Sequence, residues 1–245
     1  MEKKEIIYGR NPVLEYIKSA GTGKGIELYI SEKAHGKIIN TITGEAKKKN
    51  IKVNYKDKRF FSDFSSSSKH QGVLLKTPKE QFKATEKDLL KTARDKNGVL
   101  LLLDQLQDPH NVGSIIRTTE ALGGDGIIIT KSHSSDINPT VIKSSAGATA
   151  HINILAVSNI TGFLKKAKEM GFWIIGTSDD GTRDLGDMEG IRPAILVIGS
   201  EDSGVRAVIK RDCDIIVKIP LKGKINSLNA SVAAGIVMYE ILKEK

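Results

Sequence analysis

Between residues 99 and 221 the chain returns six times to a short apolar run: VLLLLD (99–104), GIIIT (126–130), INILAV (152–157), FWIIGTS (172–178), AILVIGS (194–200) and IIVKIPL (215–221). Runs that are continuous rather than alternating suit strands buried on both faces, as in a parallel sheet. Between and after them the spacing predicts helices over 112–123, 138–147, 160–171 and 227–244. Alternating β and α segments point to an open α/β sheet. The first part of the chain has the same alphabet in smaller pieces. GIELYIS (25–31), IKVNY (51–55) and QGVLLKT (71–77) read as strands. A short helix opens at Asn11-Pro12, with Asn11 as cap, and runs to Ile17; a basic amphipathic helix covers 34–49. FFSDFSSSSKH, with four consecutive serines, reads as a loop. Residues 79–95 are polar with few apolar anchors and read as a partly helical linker. The expected organisation is therefore a small α/β domain at 1–78, a linker at 79–95 and a larger α/β domain at 96–245.

Charge sharpens that division. The 245 residues carry 38 Lys and Arg against 29 Asp and Glu, a net of +9. Residues 1–78 hold 16 against 8, whereas residues 96–245 are balanced at 17 against 17. A module that concentrates the positive charge suggests a polyanion partner, nucleic acid first, since Lys and Arg displace its condensed counterions. The plainer alternative is a solvated surface, as in Lys47-Lys48-Lys49. A single cysteine, Cys213, excludes an internal disulfide framework and a cysteine-based zinc cluster, and fits a reducing compartment. The opening MEKKEIIYGRNP lacks the apolar core of a secretory signal, and no apolar run approaches a membrane span. A soluble, basic, cytoplasmic protein is expected, without a membrane or a metal.

Ligands of open parallel sheets bind beyond the carboxyl ends of the strands. The chain has no GxxxxGK[ST], no GxGxxG between strand and helix, no HExxH and no GxSxG. A nucleotide-dependent α/β enzyme would lack its phosphate loop. Three strand-end segments stand out instead. In DQLQDPHNVGSIIRTTEALG (104–123), an apolar strand ends at Asp104, Asn111 is placed to cap a helix, and Arg117 follows on its inner turn. In VIGSEDSGVR (197–206), glycines 199 and 204 flank Glu201, as in a tight loop over a ligand. In IPLKGKINSLNASVAAG (219–235), Ser227 is a good helix cap, Asn229 falls in a first turn, and small residues follow. Taken singly, a capped helix, an ordinary βα turn and a capped helix again would explain each segment.

In this order, the three segments resemble the motifs of the SpoU (TrmH-type) RNA ribose 2′-O-methyltransferases of the SPOUT superfamily. The likeness covers residues 98–245. Tyr8-Gly9-Arg10-Asn11-Pro12-Val13-Leu14-Glu15 and His70-Gln71-Gly72 are similar to the ribosomal-protein-like RNA-binding extension of the bacterial RlmB branch, which methylates a guanosine ribose of large-subunit rRNA. The resemblance implies a trefoil-knotted C-terminal α/β domain, S-adenosylmethionine as cofactor, and a homodimer with the final helix at its interface. It implies a cofactor pocket at Thr177, Gly199, Ile219 and Leu228, and a catalytic set of Asn111, Arg117, Glu201, Ser227 and Asn229. Arginine is a poor base because guanidinium stays protonated. Arg117 is expected instead to grip a phosphate and stabilise the developing alkoxide. A tRNA ribose methyltransferase, a resistance methyltransferase acting on rRNA, and a non-catalytic ribosome-assembly factor remain the alternatives. Pyrimidine C5 methyltransferases use a cysteine nucleophile. Cys213 sits between two aspartates, which would raise its pKa, and is read as structural.

Overall fold

The computed structural model describes residues 4–20, 22–62, 70–78, 84–131, 134–188, 190–200, 204–224 and 227–243. In chain order the elements are β1 (Lys4–Tyr8), α1 (Arg10–Ser19), β2 (Glu27–Ser31), α2 (Lys37–Lys48), β3 (Lys52–Lys56), α3 (Lys58–Ser62) and β4 (Val73–Pro78). Then come α4 (Glu86–Asp95), β5 (Val99–Leu103), α5 (Pro109–Ala121), β6 (Gly126–Thr130), α6 (Pro139–Ser144), β7 (Asn153–Val157), α7 (Ile160–Glu169) and β8 (Trp173–Thr177). The last are β9 (Arg183–Asp184), β10 (Ala194–Ile198), α8 (Ala207–Lys210), β11 (Ile215–Lys218) and α9 (Ala230–Leu242). They form two compact units.

The first unit holds a four-stranded sheet in the order β1-β4-β2-β3. β4 runs antiparallel to β1 and β2, and β3 is parallel to β2. Alternation along β2 sends Leu28 and Ile30 into a core shared with Val13 and Ile17 of α1 and Ile39 and Ile42 of α2. Each such fully buried aliphatic side chain contributes about 1.5–3 kcal/mol. Two local expectations change. α1 is capped by Gly9, not Asn11; its φ of 98° is open to glycine and strained for other residues, and its N–H bonds Val73 O at 3.2 Å. β1, a three-apolar run too short to stand out, becomes a strand because β4 offers it a partner from Lys4↔Pro78 to Tyr8↔Leu74. The expected serine loop falls mostly at 63–69, outside the described residues.

The second unit is a seven-stranded, wholly parallel sheet in the order β7-β6-β5-β10-β8-β11-β9. All six expected strands are present, and Leu100 to Leu103, Ile127, Ile128 and Ile195 to Val197 are completely buried. The chain builds outward from β5 to β7. β8 then starts the other half, and β10 inserts between β5 and β8. That reversal of direction is where open α/β sheets gather their ligand loops.

The units are drawn differently from the expected boundaries. α4 is no linker: Thr85 caps it by accepting from Asp88 N at 3.1 Å, and Leu89, Leu90 and Ala93 bury against Leu100 and Phe163 of the second unit. Residues 137–151 cluster with the first unit although they lie inside the larger sequence block. There Ile142 joins the core of Ile7, Val13 and Ile17, His151 Nε2 lies 3.0 Å from Glu15 Oε2, and the Lys143 ammonium stands 5.7 Å from the Tyr8 ring centre.

Candidate active site

The carboxyl ends of β8, β10 and β11 open together on one cavity of about 510 Å³. That size falls within the range of small-molecule sites. The four residues expected to hold a cofactor, Thr177, Gly199, Ile219 and Leu228, all line it, and so does Ser227. Its wall is mixed. Ile198, Val217 and Leu228 give apolar surface; Ser178, Asp179 and Ser200 give polar groups. Thr177 is fixed by donating from Oγ1 to Val197 O at 3.1 Å, so the ends of β8 and β10 are tied. Gly199 is required by a backbone crossing. A Cβ there would lie 2.0 Å from Gly204 C and 2.2 Å from Val205 N, because the chain turns back on itself through the Ser200↔Gly204 bridge. This cleft, at three strand ends, offers a ligand both apolar surface and polar groups.

Beside it the N-termini of α5 and α9 meet. Asp108, not Asn111, caps α5, accepting from His110 N at 2.9 Å with Pro109 at the first helical position. Asn111 is buried inside the first turn, and its Oδ1 accepts from Asn229 Nδ2 at 3.0 Å. Asn229, not Ser227, caps α9: its Oδ1 accepts from Ser231 N at 3.0 Å and Val232 N at 3.4 Å. One asparagine thus serves two purposes, closing its own helix and aiming a side chain 118 residues away. Arg117 is not on the inner turn. Six residues is one and two-thirds helical turns, which carries it about 120° around α5 from Asn111. It is exposed and makes no hydrogen bond or ion pair with a described residue. Glu201 lies outside the described residues.

Sequence reasoning missed the pair that joins the first two motifs. Asp104, completely buried at the end of β5, accepts from Arg206 Nε at 2.8 Å and Arg206 N at 3.1 Å, and lies 2.7 Å from Nη2. The fork fixes the far end of the loop whose near end, Gly199, Ser200 and Gly204, lines the cavity. An aspartate closing an otherwise apolar strand was the available signal, because a buried carboxylate needs a partner. Cys213 carries no nucleophile: burial, first, and then its aspartate neighbours push the thiol up to about 12 against the pull of Lys168, and Sγ donates to Ile209 O.

The chain is similar to known proteins along nearly its whole length. A model described as the SpoU rRNA Methylase family matches residues 98–239, and one described as RNA 2′-O ribose methyltransferase substrate binding matches residues 6–83. A Bacillus subtilis (strain 168) protein named "Putative TrmH family tRNA/rRNA methyltransferase YacO" is 37% identical over 253 residues, covering 100% of this chain and 97% of its own. Among solved structures, an AdoMet-bound rRNA methyltransferase from Sinorhizobium meliloti aligns with a TM-score of 0.79 at 21% identity, over 97% of this chain and 86% of that one. The SpoU methyltransferase AviRb from Streptomyces viridochromogenes aligns at 0.77 and 21% identity, over 98% and 88%.

Proposed function

Because the chain belongs to the SpoU rRNA Methylase family, we propose that it transfers a methyl group from S-adenosylmethionine to a ribose 2′-hydroxyl of RNA. The observation that carries the reading is the single cavity lined by Thr177, Gly199, Ile219 and Leu228, with the Asn111–Asn229 bond beside it. Bound there, the cofactor would supply an electrophilic sulfonium methyl. The protein's own share is alignment and proton management. The backbone at Gly199, Ile219 and Leu228 would hold the adenosine, and Ile198 and Val217 would exclude water from its faces. Asn111 and Asn229, with Ser227 and Glu201, would orient the ribose and the polar tail of the donor. Arg117 would take the adjoining phosphate through its guanidinium fork and stabilise the oxygen as it loses its proton to phosphate or water. Its exposure and freedom from described partners leave it available for that role.

The substrate we favour is a guanosine of large-subunit (23S) rRNA, the specificity of the RlmB branch, in the reducing cytoplasm that a lone cysteine suits. The basic first unit, matched by a substrate-binding family model, would hold that RNA. The family name favours rRNA; the relative named for tRNA or rRNA keeps a tRNA ribose as the second reading. We further read the active form as a homodimer joined through α9. Val232, Ile236 and Tyr239 recur on one face of that helix and are 49%, 39% and 60% exposed, an apolar stripe that a second copy would cover. The C-terminal segment threading past β10 is read as the trefoil knot of the family. The test is incubation of the full chain with methyl-labelled S-adenosylmethionine and unmodified large-subunit rRNA or tRNA. Label in RNA supports the reading; unlabelled RNA from both incubations overturns it.

A further inference from the structure

The carboxyl edge of the large sheet has a second opening, over the other half of its strands. A cavity of about 240 Å³ lies beyond β5, β6 and β7, lined by Gln105, Thr130, Ser158, Asn159, Arg206 and Val208, among others. Among the described residues it shares no lining with the cofactor cavity, yet the 199–206 loop borders both. The volume is below the 300–1,000 Å³ typical of drug-sized ligands, so its occupant is one small ring system.

The chemistry of the wall says which. Among the described residues its only charged side chain is Arg206, and that charge is already matched by buried Asp104. A phosphate entering here would meet no free cation among the described residues. What the wall offers is neutral hydrogen bonding. Asp104 engages Nε and Nη2 of Arg206, which leaves the Nη1 donors without a partner among the described residues. Asn159 spends its Oδ1 capping α7, accepting from Gly162 N at 3.0 Å, and keeps its amide N–H groups. The side chains of Gln105 and Ser158 bond no described residue. Gln105 is also held at a φ of 59°, left-handed backbone that is uncommon outside glycine. Ile160 and Ile209 supply buried apolar surface for the faces of a ring, and Val208 stands half-exposed at the rim. Donors and acceptors on the walls with apolar surface for the faces describe a site for a heteroaromatic ring. Base-reading enzymes receive an unstacked base in this way.

We propose that this cavity captures one extruded nucleobase of the RNA substrate, next to the cofactor cavity and on the same loop. The proposal rests on RNA being the substrate. Arg206 then links the two sites, holding the shared loop through Asp104 while presenting Nη1 to the base.

The test fills the opening from its rim, in the full chain, by Val208→Trp and separately Ser158→Trp. Both positions are exposed and outside the cofactor cavity. S-adenosylmethionine affinity, read by calorimetry, should stay within twofold and certifies the fold. The value of kcat/KM for RNA should fall at least tenfold in both variants. Saturation-transfer NMR with GMP, AMP, CMP and UMP as probes should place the base protons of at least one nucleotide against the wild-type protein and lose that signal in the variants. Wild-type kcat/KM in both variants, or nucleotide signals that the tryptophans leave unchanged, would overturn the proposal. A wild-type protein that labels no RNA would defeat the parent reading separately, and the nucleotide titration would still decide whether the cavity takes a base.

Discussion

Replacing Arg206 with alanine strips a buried carboxylate of its side-chain partner. Asp104 is completely buried, and two of the three contacts it receives come from the guanidinium, Nε at 2.8 Å and Nη2 at 2.7 Å. The third, from Arg206 N at 3.1 Å, is backbone and survives the substitution. Breaking a buried ion pair by deleting one partner costs about 3–5 kcal/mol. The arginine side chain is 35% exposed, so solvent already weakens the attraction, and the surviving backbone bond weakens the loss further. About 2–3 kcal/mol is expected, a fall in Tm of roughly 5–10 °C for a unit of this size. The assay is urea or thermal unfolding of Arg206→Ala, Asp104→Asn and the double variant. Because the two residues act as one, the double variant should be less destabilised than the sum of the singles by at least about 1 kcal/mol. The loop that borders the cofactor cavity loses its anchor at the same time, so S-adenosylmethionine affinity should drop roughly tenfold, about 1.4 kcal/mol. Strictly additive single effects, or an Arg206→Ala loss below about 1 kcal/mol, would refute the assignment of this pair.

Other substitutions separate the roles of single residues. Gly199→Ala forces a Cβ to within 2.0 Å of Gly204 backbone and should abolish cofactor binding in calorimetry; a binding-competent alanine variant would remove the crossing from the account. Arg117→Ala and Arg117→Lys should both leave Tm within about 1–2 °C, since exposed unpaired side chains carry little stability. Methyl transfer should nevertheless fall at least tenfold in each; activity retained by lysine would show that the bidentate grip is unnecessary. Cys213→Ala should keep transfer within about twofold, and iodoacetamide at pH 8 should leave the folded thiol unmodified, since burial foremost pushes it up to about 12. Burial, and then the charge of Lys143, hold the His70 imidazole below its usual 6.5, so its stabilising contribution is present above that value and lost as pH falls through the folded one. Unfolding midpoints of the first unit should therefore drop between pH 7.5 and 5.5 more in the wild type than in His70→Gln, and equal slopes would exclude the effect.

The strands of the large sheet were legible because each is a continuous apolar run, and the parallel arrangement follows from that continuity. Where the third inner strand goes was not legible: AILVI looks the same beside β8 alone as it does inserted between β5 and β8. The caps of α5 and α9 lie at Asp108 and Asn229, not at the expected Asn111 and Ser227. Asp108 and Asn111 are both good caps, and the proline between them decides for Asp108; Ser227 and Asn229 are both good caps, and Asn229 wins because it also satisfies Asn111. Arg117, expected on the inner turn from its place six residues after Asn111, is moved off the Asn111 face by the 3.6-residue period. Asp104 and Arg206 are 102 residues apart, a separation at which no spacing rule operates. Residues 137–151 read as part of the larger block by position, but Val141 and Ile142 are the segment's strongest apolar anchors, and Ile142 goes to the first unit's core.

The most direct measurement locates the transferred methyl. RNA labelled by the full chain with methyl-labelled S-adenosylmethionine is digested to nucleosides and separated. The account predicts label on the ribose 2′-oxygen, as 2′-O-methylguanosine from large-subunit rRNA. The same 2′-O-methyl from tRNA would keep the chemistry and move the substrate to the second reading. Label on a base carbon or nitrogen would contradict the account at its centre.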